Sequence, residues 1–153
     1  MNKVWVVLIL GFGMVVSTQS QAALAERYQC ECVDTGVECD GLDYLTVVMN
    51  GAIIQAQAKD SDREPTGTHF VAKLDNSYRP RKYKDYDRYV VTSKAKKTYP
   101  YFLVHHTLSR DGWRNGNLKL IEKTKNDPSW TWEFKCVFDR YVSPTPIKGG
   151  ASG

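Results

Sequence analysis

The run Trp130-Thr131-Trp132-Glu133-Phe134-Lys135-Cys136-Val137-Phe138 carries an aromatic ring or a sulfur at every even position and mostly polar side chains between. Successive side chains of a strand point to opposite faces, so the run predicts a strand with one buried aromatic face and one wet face. Cys136 falls on the buried face. Residues 28–32 repeat the alternation near the other end of the chain, with Tyr28, Cys30 and Cys32 on one side and Gln29 and Glu31 on the other. The first and last strands can therefore meet through a disulfide.

The chain has four cysteines, and in an exported protein that number argues for two bridges. Cys30 and Cys32 point the same way from one strand and are too far apart to bond each other. Each needs another partner. Residues 33–38 form a tight acidic loop that returns Cys39 to Cys32, which leaves Cys30 for Cys136. Cys32 with Cys39 and Cys30 with Cys136 is favoured over the swapped pairing. No thiol is then left as a nucleophile.

Between these ends the period stays at two. Asn50-Gly51 joins residues 44–49 to residues 52–58 and predicts a type I′ hairpin turn, with Met49 opposite Ala52, Val47 opposite Ile54 and Leu45 opposite Ala56. That register places every one of these apolar residues on a single face. Further strands are expected at residues 70–74, 89–93, 101–108 and 118–123, separated by connectors rich in Gly, Pro, Asp and Asn. No stretch of ten residues after the leader has helical spacing. The fold class is all-β: a small antiparallel meander, closed into an eight-stranded barrel or flattened into a β-sandwich, with the bridge between first and last strands favouring the barrel.

The chain has 153 residues, 42% apolar, 12% aromatic and 25% charged, as one globular domain requires. Residues 4–16 are an apolar run behind Lys3, followed by a polar stretch and Ala23-Leu24-Ala25, the pattern of a secretory signal peptide over residues 1–25. Thirteen residues are too few to span about 30 Å of hydrocarbon as a helix. Removing 25 of the 153 residues leaves 128, enough for one core: a disulfide-bonded domain over residues 26–142 and a disordered tail over residues 143–153. A membrane barrel is disfavoured, because its strands would be longer and would carry an outward apolar band. Here the outer faces carry Glu31, Lys73, Lys119, Glu133 and Lys135. The expected location is periplasmic or secreted, with no transmembrane segment once the leader is cleaved.

Charge is distributed unevenly. Residues 26–64 hold nine acidic side chains against three basic ones, whereas residues 79–97 hold eight basic against two acidic. Within the basic stretch, Tyr78, Arg79, Arg81, Lys82, Tyr83, Lys84, Tyr86 and Arg88 interleave cations with tyrosines, followed by Tyr89. Cations attract anions and tyrosine rings give flat contact area at little entropic cost, so this is the candidate binding segment. The expected partner is an anionic envelope ligand or an acidic protein surface, with nucleic acid the least expected because of export. The bland alternative is a long solvated hairpin whose tyrosines cover the end of the barrel.

Other motifs carry less. Asp34-Thr35-Gly36 resembles the active-site triplet of aspartic proteases, but Val37 stands where that family has a small residue and Cys32 and Cys39 bracket the triplet. It reads as an Asp-Gly turn in a disulfide loop. Asp60, Asp62 and Glu64 alternate as in a calcium loop, yet Pro65 stands where an EF-hand requires glycine, so solvated carboxylates are expected. His105 and His106 would face opposite sides of one strand, one in the core and one on the surface, and neither a metal nor a cofactor is expected. No Gly-x-Ser-x-Gly elbow is present.

In architecture the chain resembles small exported eight-stranded barrels with a terminal disulfide, such as the periplasmic inhibitors of c-type lysozyme. Thr66-Gly67-Thr68-His69-Phe70 is similar in character to their Ser-Gly-x-x-Tyr loop, with Gly67 the identical position. The resemblance implies an inhibitor-like loop inserted into an enzyme cleft. The sequence therefore predicts a binding protein rather than an enzyme. A structural envelope component comes second and a hydrolase of unknown type third.

Overall fold

In a computed structural model describing residues 24–33, 39, 41–79, 81–109, 115–123 and 130–143, eight antiparallel strands form a closed barrel in simple sequence order. They are β1 (Ala25–Cys32), β2 (Tyr44–Asn50), β3 (Ile53–Lys59), β4 (Pro65–Leu74), β5 (Tyr86–Val91), β6 (Tyr101–His105), β7 (Asn115–Glu122) and β8 (Trp130–Val142). A 3-10 turn at Lys94–Lys97 and one helical turn, α1 (His106–Ser109), interrupt the connections. The barrel, not the sandwich, is the architecture. The expected leader at 1–25 and the expected tail at 143–153 fall almost wholly outside the described residues, as does the Asp34-Thr35-Gly36 triplet.

The interior is filled by side chains, as a barrel of this size demands. Phe70 meets Phe102 and Tyr99 edge to face, at centroid distances of 5.2 and 5.5 Å. Ala56, Ala58 and Ala72 leave room for these rings and for Phe134 and Trp132. β1 closes against β8 with Cys30 directly opposite Cys136, and those two are bridged. Cys32 is bridged to Cys39, as the spacing led one to expect. Cys39 and Leu42 fill one end of the barrel. Leu108 of α1 fills the other, where the Tyr28 hydroxyl lies 2.8 Å from the Leu108 carbonyl and 2.6 Å from a Glu26 carboxylate oxygen. Burial and that carboxylate push the Tyr28 phenol far above its usual range. A Cβ on Gly116 would stand 2.9 Å from the Leu108 Cβ, so the absence of a side chain on β7 is what seats α1.

Several expected boundaries move. The hairpin pairs Met49 with Ile54, Val47 with Ala56 and Leu45 with Ala58, two residues away from the expected register. Its two-residue loop is Gly51-Ala52, with positive φ (55°) at Gly51 and not at Ala52. Glycine at the first central position is the type II′ arrangement, not type I′. The slip is by an even number, so the same residues still face inward. β4 begins at Pro65 rather than residue 70, so Thr66-Gly67-Thr68-His69-Phe70 lies within a strand and does not form the insertion loop that the resemblance implied. β5 begins at Tyr86 rather than residue 89, and β6 ends at His105 where α1 takes over. Neither His105 nor His106 is in the core: both are half-buried, His105 against the Tyr86 ring and His106 with Nε2 3.2 Å from Asp87 Oδ1.

Candidate binding surface

Strand register sorts the outward side chains into rows around the barrel. On the β5 to β8 wall, Arg88, Leu103, Lys119 and Glu133 stand directly opposite one another in sequence of strands. Leu103 points outward yet is only 2% exposed. Its neighbours in the row show what shields that wall. The Arg88 guanidinium lies over the rings of Tyr78 and Tyr101, at 4.5 and 5.6 Å, and is ion-paired with Asp75, its Nε 3.0 Å from Oδ2. Lys119 is ion-paired with Glu133 and lies over the rings of Tyr83 and Tyr86, at 5.6 and 5.7 Å. Tyr83 and Tyr86 meet edge to face, 5.7 Å apart. The connector from Asp75 to Asp85 thus folds back over the wall rather than over the barrel end.

The predicted binding residues divide accordingly. Tyr78, Tyr86 and Arg88 are partly buried in that layer, and Tyr89 points into the core. Burial raises the phenols of Tyr78 and Tyr86, and the neighbouring Arg88 and Lys119 respectively oppose the shift. Asp75 is held at about 2 by hydrogen bonds from Ser77 and from Arg88. Arg79 donates to the carbonyls of Asn76 and Tyr78, at 2.8 and 2.9 Å. Arg79, Arg81, Lys82 and Lys84 are exposed, and among the described residues none of the four makes an ion pair with a carboxylate. Lys82 leans over the Tyr83 ring at 5.4 Å.

Round the barrel from β8, the outer row of β8, β1, β2 and β3 is Lys135, Glu31, Tyr44 and Lys59, each directly opposite the next. An open groove of about 350 Å³ lies here, with Val137 and Arg63 at its margins. Gln29 also lines it, its amide oxygen accepting from Thr46 Oγ1 at 3.0 Å. Arg63 sits in the turn between β3 and β4. The Asp60 carboxylate braces that exposed turn: Oδ1 accepts from the backbone N–H of Asp62 and Glu64, at 3.0 and 2.9 Å. Arg63 adopts φ 64° and lies over the Tyr44 ring at 4.4 Å.

Reading the sequence missed Lys119, Leu103 and this groove. Outward orientation was legible for Lys119, Lys135 and Glu31, but which strands bring them together depends on register. The expected hairpin register would have put Gln57, not Lys59, opposite Tyr44. Among the described residues no group of three or more His, Cys, Asp or Glu is arranged to hold a metal ion. No family model, curated protein or solved structure matches this chain.

Proposed function

We propose that this chain is an exported, disulfide-bonded barrel that binds an anionic ligand or an acidic protein surface through the Asp75–Asp85 connector. The observation that carries the reading is the set of four exposed cations, Arg79, Arg81, Lys82 and Lys84, that lack carboxylate partners. They project from a connector anchored by Arg88 to Asp75 and by Tyr83 to Lys119. An anchored backbone lowers the ordering cost of binding, and half-buried tyrosines beside the cations offer contact area. Two bridges suit an oxidising compartment, periplasmic or extracellular, and no helix among the described residues is long and apolar enough to cross a membrane.

Dextran sulfate is a suitable polyanionic probe. Replacing Arg81, Lys82 and Lys84 by glutamine should weaken its binding roughly tenfold, since each exposed charge contact supplies up to about 1 kcal/mol. The salt dependence should flatten while the melting temperature stays put. Tyr83→Ala should weaken binding without changing that slope. If it lowers stability and leaves binding intact, the connector is a structural cover and the reading fails.

A further inference from the structure

We infer that the groove across β8, β1, β2 and β3 is a second, separate binding site, for a small amphipathic anion with a carboxylate head and a short apolar body. It does not rest on the proposal for the connector, whose contacts are with Arg88 of β5 and Lys119 of β7. Three cations, Lys59, Arg63 and Lys135, line the groove against one carboxylate, Glu31, and none of the four makes an ion pair among the described residues. Three cations against one carboxylate leave the groove net positive, and a single anionic head complements that charge.

The shape of the site is fixed before any ligand arrives. The two Asp60 hydrogen bonds set the turn, Arg63 is the one described non-glycine residue with positive φ, and its guanidinium is held over Tyr44. A left-handed arginine carries a backbone cost that glycine would avoid, and it puts a guanidinium over the Tyr44 ring where glycine would put nothing. The apolar part of the ligand follows from Val33, Val137 and the Tyr44 ring in the lining. Val137 is 55% exposed. About 350 Å³ is at the small end for ligand sites, which fits one short chain. The charged row around it offers no apolar rim for entering a bilayer, so the ligand is a free amphiphile rather than a membrane lipid.

The test is calorimetric titration of the intact, oxidised protein with decanoate, with amide chemical shifts followed alongside. Saturable binding is expected, with shifts centred on Gln29, Tyr44 and Val137. Arg63→Gly should weaken it by up to about fivefold, while the melting temperature holds or rises because glycine accepts this φ without strain. Lys135→Gln should weaken it similarly, and Lys73→Gln, on the outer face of β4 away from the groove, should leave it unchanged. The inference is overturned by absent saturable binding, by affinity indifferent to Arg63→Gly and Lys135→Gln, or by co-sedimentation with phosphatidylglycerol vesicles without decanoate binding. Shifts confined to residues 79–86 would also overturn it, while leaving the connector proposal standing.

Discussion

Two walls of one barrel follow the same alternation and reach opposite ends. On the β5 to β8 wall, outward Leu103 is buried, because Arg88 and Lys119 beside it are capped by tyrosines from a connector that folds back. On the wall from β8 through β1 to β3, outward Val137 stays exposed beside three cations without carboxylate partners. Period-two patterning decides which side chains point out. Connector length and composition decide whether they stay out. The covered wall spends its charges on its own cohesion, and the bare wall leaves them for something else.

The largest expected effect lies beneath the bare wall. Cys30 and Cys136 are separated by 106 residues, so replacing both by alanine should remove about 4 to 5 kcal/mol of stability, read as a lower denaturant midpoint. An unchanged midpoint would mean that the seam between β1 and β8 holds without its bridge. The comparison itself is tested by a pair of truncations. Leu103→Ala should cost about 2 to 4 kcal/mol, as in a core, whereas Val137→Ala should stay within about 0.5 kcal/mol. Equal costs would erase the distinction between the walls.

A smaller effect is expected at the β2–β3 hairpin. Gly51→Val should cost about 1 kcal/mol through backbone strain alone, since a Cβ there meets nothing within 4 Å. Thermal melts would measure it, and a neutral result would contradict the positive φ. The smallest effect concerns acid. The Asp75 carboxyl is depressed to about 2 from an ordinary value near 4, so its contribution is present above pH ~4 and lost as pH falls toward 2. Loosening of the covered wall over that interval should appear in the ring signals of Tyr78 and Tyr101. Ser77→Ala, which removes one of the hydrogen bonds to Asp75, should move the transition to higher pH.

What the sequence made legible is whatever local chemistry controls. Alternation at residues 130–138 and 28–32 marked inward and outward faces, and cysteine spacing favoured the pairing that the fold adopts. The Asn50-Gly51 signal located a hairpin but misplaced its loop by one residue, because Gly51 takes the first central position and Asn50 pairs with Ile53. Tyr86 and Arg88 looked like loop residues because their neighbours are turn formers. Their place in β5 is set by pairing with His105 and Leu103, which no local window contains. Nothing in the sequence singles out Leu103, because its burial on an outward face depends on a connector from elsewhere in the chain folding back. The row Lys135, Glu31, Tyr44 and Lys59 was hidden for the same reason, being assembled from four strands by register.

Simple strand order also shapes how the chain reaches this state. Seven seams join strands adjacent in sequence, so each forms by closing a short or moderate connection. The eighth, between β1 and β8, must bring together segments 106 residues apart at Cys30 and Cys136, against a loop entropy that grows with the logarithm of that distance. Closure is therefore the step at which folding of the reduced chain slows. A chain unfolded with its bridge intact begins with that encounter already made, so the oxidised chain is expected to refold faster than the reduced one.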